Sequence, residues 1–77
     1  MKAHIQIKLF ATLKKFTPDS ADHYPIEPGT SLGNLLEQLG VPIDEVKLIF
    51  INGTKADLTS ILQGGERVGI FPPVGGG

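Results

Sequence analysis

TSLGNLLEQLGVP, residues 30–42, decides how this chain folds. Thr30 and Ser31 put hydroxyls where the first turn of a helix needs acceptors for its unpaired N–H groups. Leu32, Leu35, Leu36 and Leu39 follow at i, i+3, i+4 and i+7, and then Gly40 and Pro42 stop the pattern. The segment predicts one short amphipathic helix with leucines on a single side. Such a stripe must be buried against another layer, and the flanking sequence offers only strands to bury it.

Upstream, residues 4–10 alternate, with Ile5, Ile7 and Leu9 on one side and His4, Gln6 and Lys8 on the other, which is the period of a half-buried strand. Thr17, Pro18, Asp19 and Ser20 read as a turn into a second strand at about residues 22–26, pairing with the first as a hairpin. Pro25 and Pro28 lie in or beside that strand and cannot donate to a ladder, so it belongs at a sheet edge. Downstream, Asp44 and Glu45 read as the solvated start of a strand after the Pro42 turn. Residues 47–51 are too short an apolar run for a helix. Asn52-Gly53 favours a tight hairpin turn, with a short return near residues 55–58. Residues 59–62 read as a single helical turn, broken by Gly64-Gly65, and residues 66–71 as the last strand, with Val68 and Ile70 on one face and Phe71 on the other. The expected order is ββαβ(β)β, an α+β fold of the β-grasp (ubiquitin-like) type. It is a mixed sheet crossed by one short helix, with the last strand beside the first in the interior. Residues 1–71 form this domain and residues 72–77 an extended tail.

Composition narrows the function. Seventy-seven residues make one small domain, and 40% apolar content marks it as globular. Seven basic and eight acidic side chains leave a formal charge of −1, so no positive field gathers nucleic acid. The chain contains no cysteine, which excludes disulfides, thiolate metal sites and cysteine nucleophiles. Neither His4 nor His23 has a carboxylate or nucleophile at a telling spacing, and no Asp or Glu pair has metal-ligand spacing. Gly64-Gly65 has no phosphate-loop lysine after it. The expectation is therefore a protein without an active site of its own, binding no metal or cofactor. The stretch MKAHIQIKLF has no apolar signal region, and no segment approaches membrane-spanning length, which predicts a cytoplasmic protein; when free it is expected to be a monomer.

The remaining feature is the end, FPPVGGG. Pro72 and Pro73 stop strand pairing and start a polyproline-like segment, with Val74, Gly75, Gly76 and Gly77 beyond it. Six residues from Pro72 reach roughly 20 Å at about 3.3 Å each. Glycines can pass through a narrow tunnel, and the terminal carboxylate is the reactive group such a needle would deliver. A carboxylate is a poor electrophile, so a separate enzyme would have to activate it, the usual solution being an acyl-adenylate made from ATP.

LTSILQGGERVGIFPPVGGG, residues 58–77, resembles the C-terminal end of the small subunit of molybdopterin synthase, and IKLFATLKKF resembles that family's first strand and the segment that follows it. The resemblance covers essentially the whole chain and is most specific at Phe71, Pro72, Pro73 and Val74 and at Gly76-Gly77. The sequence departs from the family at Gly75, where a small non-glycine residue is more usual, and at Lys14 and Lys15, where Arg-Glu is common. The resemblance implies a sulfur carrier: an E1-like adenylyltransferase adenylates Gly77, a persulfide sulfur displaces AMP, and the thiocarboxylate donates sulfide inside the large synthase subunit. Gly75 and Gly76 would then thread the partners' tunnels. ATP is consumed by the activating enzyme, and the sulfur rides on the terminal acyl group. Three functions stay open on the residues. They are this carrier, in molybdopterin, thiamine or another pathway; a ubiquitin-like modifier joined through Gly77 to a lysine; and a binding module with an inert tail.

Alternation also predicts where partners grip. Phe10 follows Leu9, and Phe71 follows Ile70, onto the outer sheet face beside the base of the tail, with Ile49 or Ile51 expected to extend the patch. In the family resemblance, the matching aromatic positions contact the large subunit and the E1-like enzyme.

Overall fold

A computed structural model describes residues 3–73; Met1, Lys2, Val74, Gly75, Gly76 and Gly77 lie outside the described residues. Strand β1 (Ala3–Leu9) pairs antiparallel with β2 (Tyr24–Ile26). After β3 (Thr30–Ser31) comes helix α1 (Leu32–Leu39). Strand β4 (Leu48–Ile51), β5 (Thr54–Ala56), β6 (Ile61–Leu62) and β7 (Arg67–Phe71) follow. The main sheet runs β2-β1-β7-β4-β5, with β1 and β7 parallel and the other pairs antiparallel, and β3 pairs with β6 in a separate ribbon. This is the expected β-grasp, and β2, with its proline, occupies an edge.

The helix forms as its residues dictate. The Ser31 hydroxyl accepts the Asn34 N–H at 3.2 Å, and Gly40 closes the helix in the left-handed region at φ 79. Two further N–H groups of the first turn donate outside the helix, Leu32 to the Ser60 carbonyl at 2.9 Å and Gly33 to the Leu58 carbonyl at 3.0 Å. Leu32, Leu35 and Leu36 are fully buried against Ile5, Ile7, Leu9, Val68 and Ile70 of the sheet. Burying each such side chain contributes roughly 1.5–3 kcal/mol, which is how a helix of two turns persists in so small a domain.

Several local features differ from the expected ones. The second strand, expected over residues 22–26, starts only at Tyr24, because residues 21–23 form a 3₁₀ turn (Ala21–His23). Strand β1 ends at Leu9, one residue before Phe10. Residues 11–16 form a 3₁₀ helix (Ala11–Phe16), entered through Ala11 at φ 52, and this bend sends Leu13 wholly into the core. Asp44 and Glu45 lie in a 3₁₀ turn (Ile43–Glu45), so β4 starts only at Leu48. Residues 59–62 are not helical. The Asp57 carboxylate accepts the Thr59 N–H at 2.9 Å and its hydroxyl at 2.6 Å, turning the chain so that Ile61 and Leu62 pair with Ser31 and Thr30. Those bonds from Thr59, joined by Ser60, hold the Asp57 carboxyl below its ordinary value of 3.8.

Two glycine-bearing turns fix the sheet. Asn52 and Gly53 both have positive φ, 54 and 81, the requirement of a type I′ hairpin, and Asn52 Oδ1 accepts the Arg67 N–H at 2.9 Å. At residues 63–66 the Glu66 carboxylate accepts the Gln63 and Gly64 N–H groups at 2.8 and 2.7 Å. Gly64 has φ 124, and a Cβ there would stand 2.5 Å from that of Ala3.

Candidate partner interface

The three central strands, β1, β7 and β4, turn alternate residues to opposite sides, and the side away from α1 carries a different chemistry. From β1 it receives Gln6 and Lys8, and from β7 Arg67, Gly69 and Phe71. Phe10 continues the alternation although it lies past the strand, because its backbone stays extended (φ −110, ψ 155) and its N–H donates to the Ile70 carbonyl at 3.1 Å. From β4 come Leu48 and Phe50, which the register sets opposite Phe71 and Gly69.

The rings of Phe10 and Phe71 stack with centroids 4.2 Å apart and planes within 2°. Phe50 meets Phe71 edge-on at 5.7 Å and 88°. Such pairs contribute about 0.5–1.5 kcal/mol each beyond their area. All three rings are only half-buried, and none belongs to the aliphatic core or to the side chains packed on it. Lys8 and Arg67 are exposed beside them.

Of the expected contact residues, Phe10 and Phe71 therefore come together as the alternation required. Ile49 and Ile51 do not join them. The register sets Ile49 opposite Ile70 and Ile51 opposite Val68, so both turn inward; Ile49 is in the core and Ile51 packs against it. The outward aromatic of that strand is Phe50, which the sequence reading missed because LIFI is apolar throughout and shows no polar side. The available signal was Lys55: across a two-residue turn, Phe50 pairs with Lys55 and must share its solvent-facing side.

The base of the tail adjoins this patch. The Phe71 carbonyl accepts the Lys47 N–H at 2.8 Å. Pro72 after it is buried and Pro73 exposed. The expected acyl-bearing and threading residues Val74, Gly75, Gly76 and Gly77 lie outside the described residues. His4 and His23 stack on each other at 3.7 Å, both exposed. Among the described residues no group of three or more His, Cys, Asp or Glu is placed to hold a metal, and no helix is long and apolar enough to cross a membrane.

The Mut7-C ubiquitin family matches residues 2–75. The chain is 30% identical over 88 residues to a molybdopterin synthase sulfur carrier subunit of Phaeosphaeria nodorum, across 96% of this chain and 91% of the relative. In structure it resembles the HVO 2177 protein of Haloferax volcanii, with a TM-score of 0.76, 19% identity, and coverage of 99% of this chain and 88% of the other. It also resembles small archaeal modifier protein 1 of the same organism, with a TM-score of 0.67, 24% identity, and coverage of 94% and 99%. These two likenesses bear on the fold. With the ubiquitin-like roll, the aromatic patch at the base of the tail and a family match spanning nearly every residue, the chain belongs to the Mut7-C ubiquitin family, among the ubiquitin-like sulfur-carrier proteins.

Proposed function

We propose that this protein is a sulfur carrier for molybdopterin synthesis, working as the small subunit of a synthase without catalytic machinery of its own. The observation that carries the reading is the 30% identity, over 96% of the chain, to a protein named as a molybdopterin synthase sulfur carrier subunit. The Gly77 carboxylate is the acyl site. It attacks ATP held by an E1-like adenylyltransferase and pyrophosphate leaves; the outer sulfur of a persulfide donor then displaces AMP to give an acyl disulfide, which a second thiol of the donor cleaves, leaving the thiocarboxylate on Gly77 and a disulfide on the donor. In the large synthase subunit that group delivers its sulfur. Pro72 and Pro73 set the direction in which the tail leaves the sheet, Val74, Gly75 and Gly76 thread the partner, and Phe10, Phe50 and Phe71 are the grip at its base. ATP stays with the activating enzyme, and the carrier works as a monomer in the cytoplasm.

Mass spectrometry tests this directly. Incubation with the E1-like enzyme, ATP and a sulfur donor is expected to exchange one oxygen of Gly77 for sulfur, and the product should support cofactor synthesis with the large subunit. A chain extended past Gly77, or lacking Gly76 and Gly77, should do neither. An isopeptide bond from Gly77 to a target lysine in place of the thiocarboxylate would identify a protein modifier, and no adenylation at all would leave the tail inert.

A further inference from the structure

The main sheet has two open edges, and they are finished differently. At one, β2 carries Pro25, the register partner of His4. Proline has no N–H to offer, so that edge presents a broken ladder to an incoming chain. At the other edge lies β5. The two-residue Asn52-Gly53 turn makes Ile51 and Thr54 the hydrogen-bonded pair that closes the β4–β5 hairpin, and alternation makes Phe50 and Lys55 a pair that exchanges no bonds. The Lys55 N–H and C=O therefore point away from β4, and among the described residues neither takes a backbone partner elsewhere.

An apolar groove runs beside this edge on the side that α1 covers, since Ala56 pairs with the core residue Ile49. Its volume is about 310 Å³, and Ile43, Val46, Ala56 and Leu58 give it an apolar lining. Ile43 is 45% exposed, one of two large aliphatic side chains among the described residues left so open to water. Lys47 and Lys55 also line the groove, against one carboxylate, that of Asp57. The Asp57 carboxylate is already engaged by the Thr59 N–H and hydroxyl, whereas both lysines are exposed. Asp44 and Glu45, next to Ile43 in sequence, do not line it. Each feature selects one attribute of an occupant. Free N–H and C=O groups at a sheet edge take an extended backbone, the groove takes apolar side chains, and the lysines take carboxylates. A second copy of this chain fails the last requirement, because pairing β5 with β5 about a two-fold axis sets one Lys55 directly against the other.

We propose that the β5 edge accepts an added strand from a partner protein, an extended segment that alternates apolar and acidic residues. Its backbone pairs with the Lys55 N–H and C=O. Its apolar side chains continue the groove over Ile43 and Val46, and its carboxylates face the positive charge of Lys55 and Lys47. Lys55 thus has two effects: it bars pairing between copies of this chain and selects an acidic strand. The edge is a different surface from the aromatic face, so the inference stands without the carrier reading.

The probe is a short capped peptide alternating aspartate and valine, titrated into the isotope-labelled full chain and followed by NMR. The Lys55 amide proton is expected to shift downfield and to exchange more slowly with solvent, as a new backbone hydrogen bond requires, and the methyl signals of Ile43 and Val46 should move with it. Lys55→Gln removes the charge but keeps the N–H, and should weaken binding by no more than about fivefold, the ordinary value of an exposed ion pair. Lys55→Pro also removes the outward N–H without breaking a bond to β4, as an edge strand tolerates, and should weaken binding roughly tenfold or more. Ile43→Ser lies outside every strand and leaves the ladder untouched, so it tests the groove even if the proline disturbs β5; it too should weaken binding. A peptide alternating lysine and valine should not bind. No change at the Lys55 amide, equal binding of the two peptides, or full affinity in both Lys55→Pro and Ile43→Ser would overturn the inference. Concentration-dependent shifts of the same signals without peptide would also overturn it, by assigning the edge to a second copy of the chain.

Discussion

The two sides of one sheet are built from alternate residues of the same strands, yet they obey different rules. The side under α1 holds Ile5, Ile7, Leu9, Ile49, Val68 and Ile70, all aliphatic, each no more than 5% exposed. The opposite side holds stacked and edge-on phenylalanines, cations and a glycine, all left partly or wholly in water. A small domain gains most of its stability from one packed layer. Leaving three phenylalanines on the other layer contributes little to folding alone, and that contrast is what favours the partner interface proposed for them.

Adjacent positions in β7 give the largest test of that division. Ile70 is fully buried, and Ile70→Ala should cost about 2–5 kcal/mol in chemical denaturation through lost burial and the cavity left behind. Phe71→Ala, one residue on, should cost roughly 1–3 kcal/mol, the scale of its two ring pairs, while weakening partner binding tenfold or more. Equal losses of stability at the two positions would erase the distinction between the sides.

Two glycines, Gly64 in the turn before β7 and Gly69 at its centre, sharpen it. Gly64→Ala forces a left-handed backbone on alanine and drives its Cβ against Ala3, so a loss of roughly 2–4 kcal/mol is expected, combining backbone strain with overpacking. Gly69→Ala should instead raise stability by about 0.5–1 kcal/mol, the ordinary gain of replacing glycine inside a strand. A destabilised Gly69→Ala would mean that the missing side chain there serves ring packing rather than contact.

The smallest effect belongs to the turn that straps the covered side. Hydrogen bonds from Thr59 and Ser60 lower the Asp57 pKa in the folded state, so its contribution is present above the unfolded value near 3.8 and fades as pH falls through the lower folded one. Asp57→Ala should therefore reduce thermal stability slightly at neutral pH, with the difference from the native chain shrinking in acid below about pH 3.8. A difference that persists unchanged at low pH would assign the loss to the turn geometry alone.

What the sequence disclosed follows the same boundary. Alternation in β1 and the leucine spacing of α1 carry a period that local residues set, so both elements and the edge position of β2 were readable. Phe10 and Phe71 were readable for the same reason. The 3₁₀ segment carrying Leu13 was not, because it depends on Ala11 adopting φ 52, a conformation tertiary packing imposes on alanine. Strand β6 was hidden because two residues have no period, and they are held by pairing with β3 and by the Asp57 turn. Phe50 was hidden by a uniformly apolar strand whose sidedness only its cross-strand partner reveals. The chemistry expected of Gly77 was suggested by likeness of the tail, and no periodicity could have indicated it.

The parallel pairing of β1 with β7 has a kinetic consequence. Gln6 and Arg67 are register partners at the centre of the sheet although most of the chain lies between them. Loop-closure entropy must be met before that pairing is rewarded, so the folding barrier is dominated by a contact between distant segments. During synthesis β1 can pair with β2 early, but its other edge waits until β7 has left the ribosome. The aromatic patch, whose Phe10 and Phe71 come from those same two segments, is assembled by the same event. A chain that has not finished folding thus lacks the assembled aromatic patch that the proposed function assigns to partner contact.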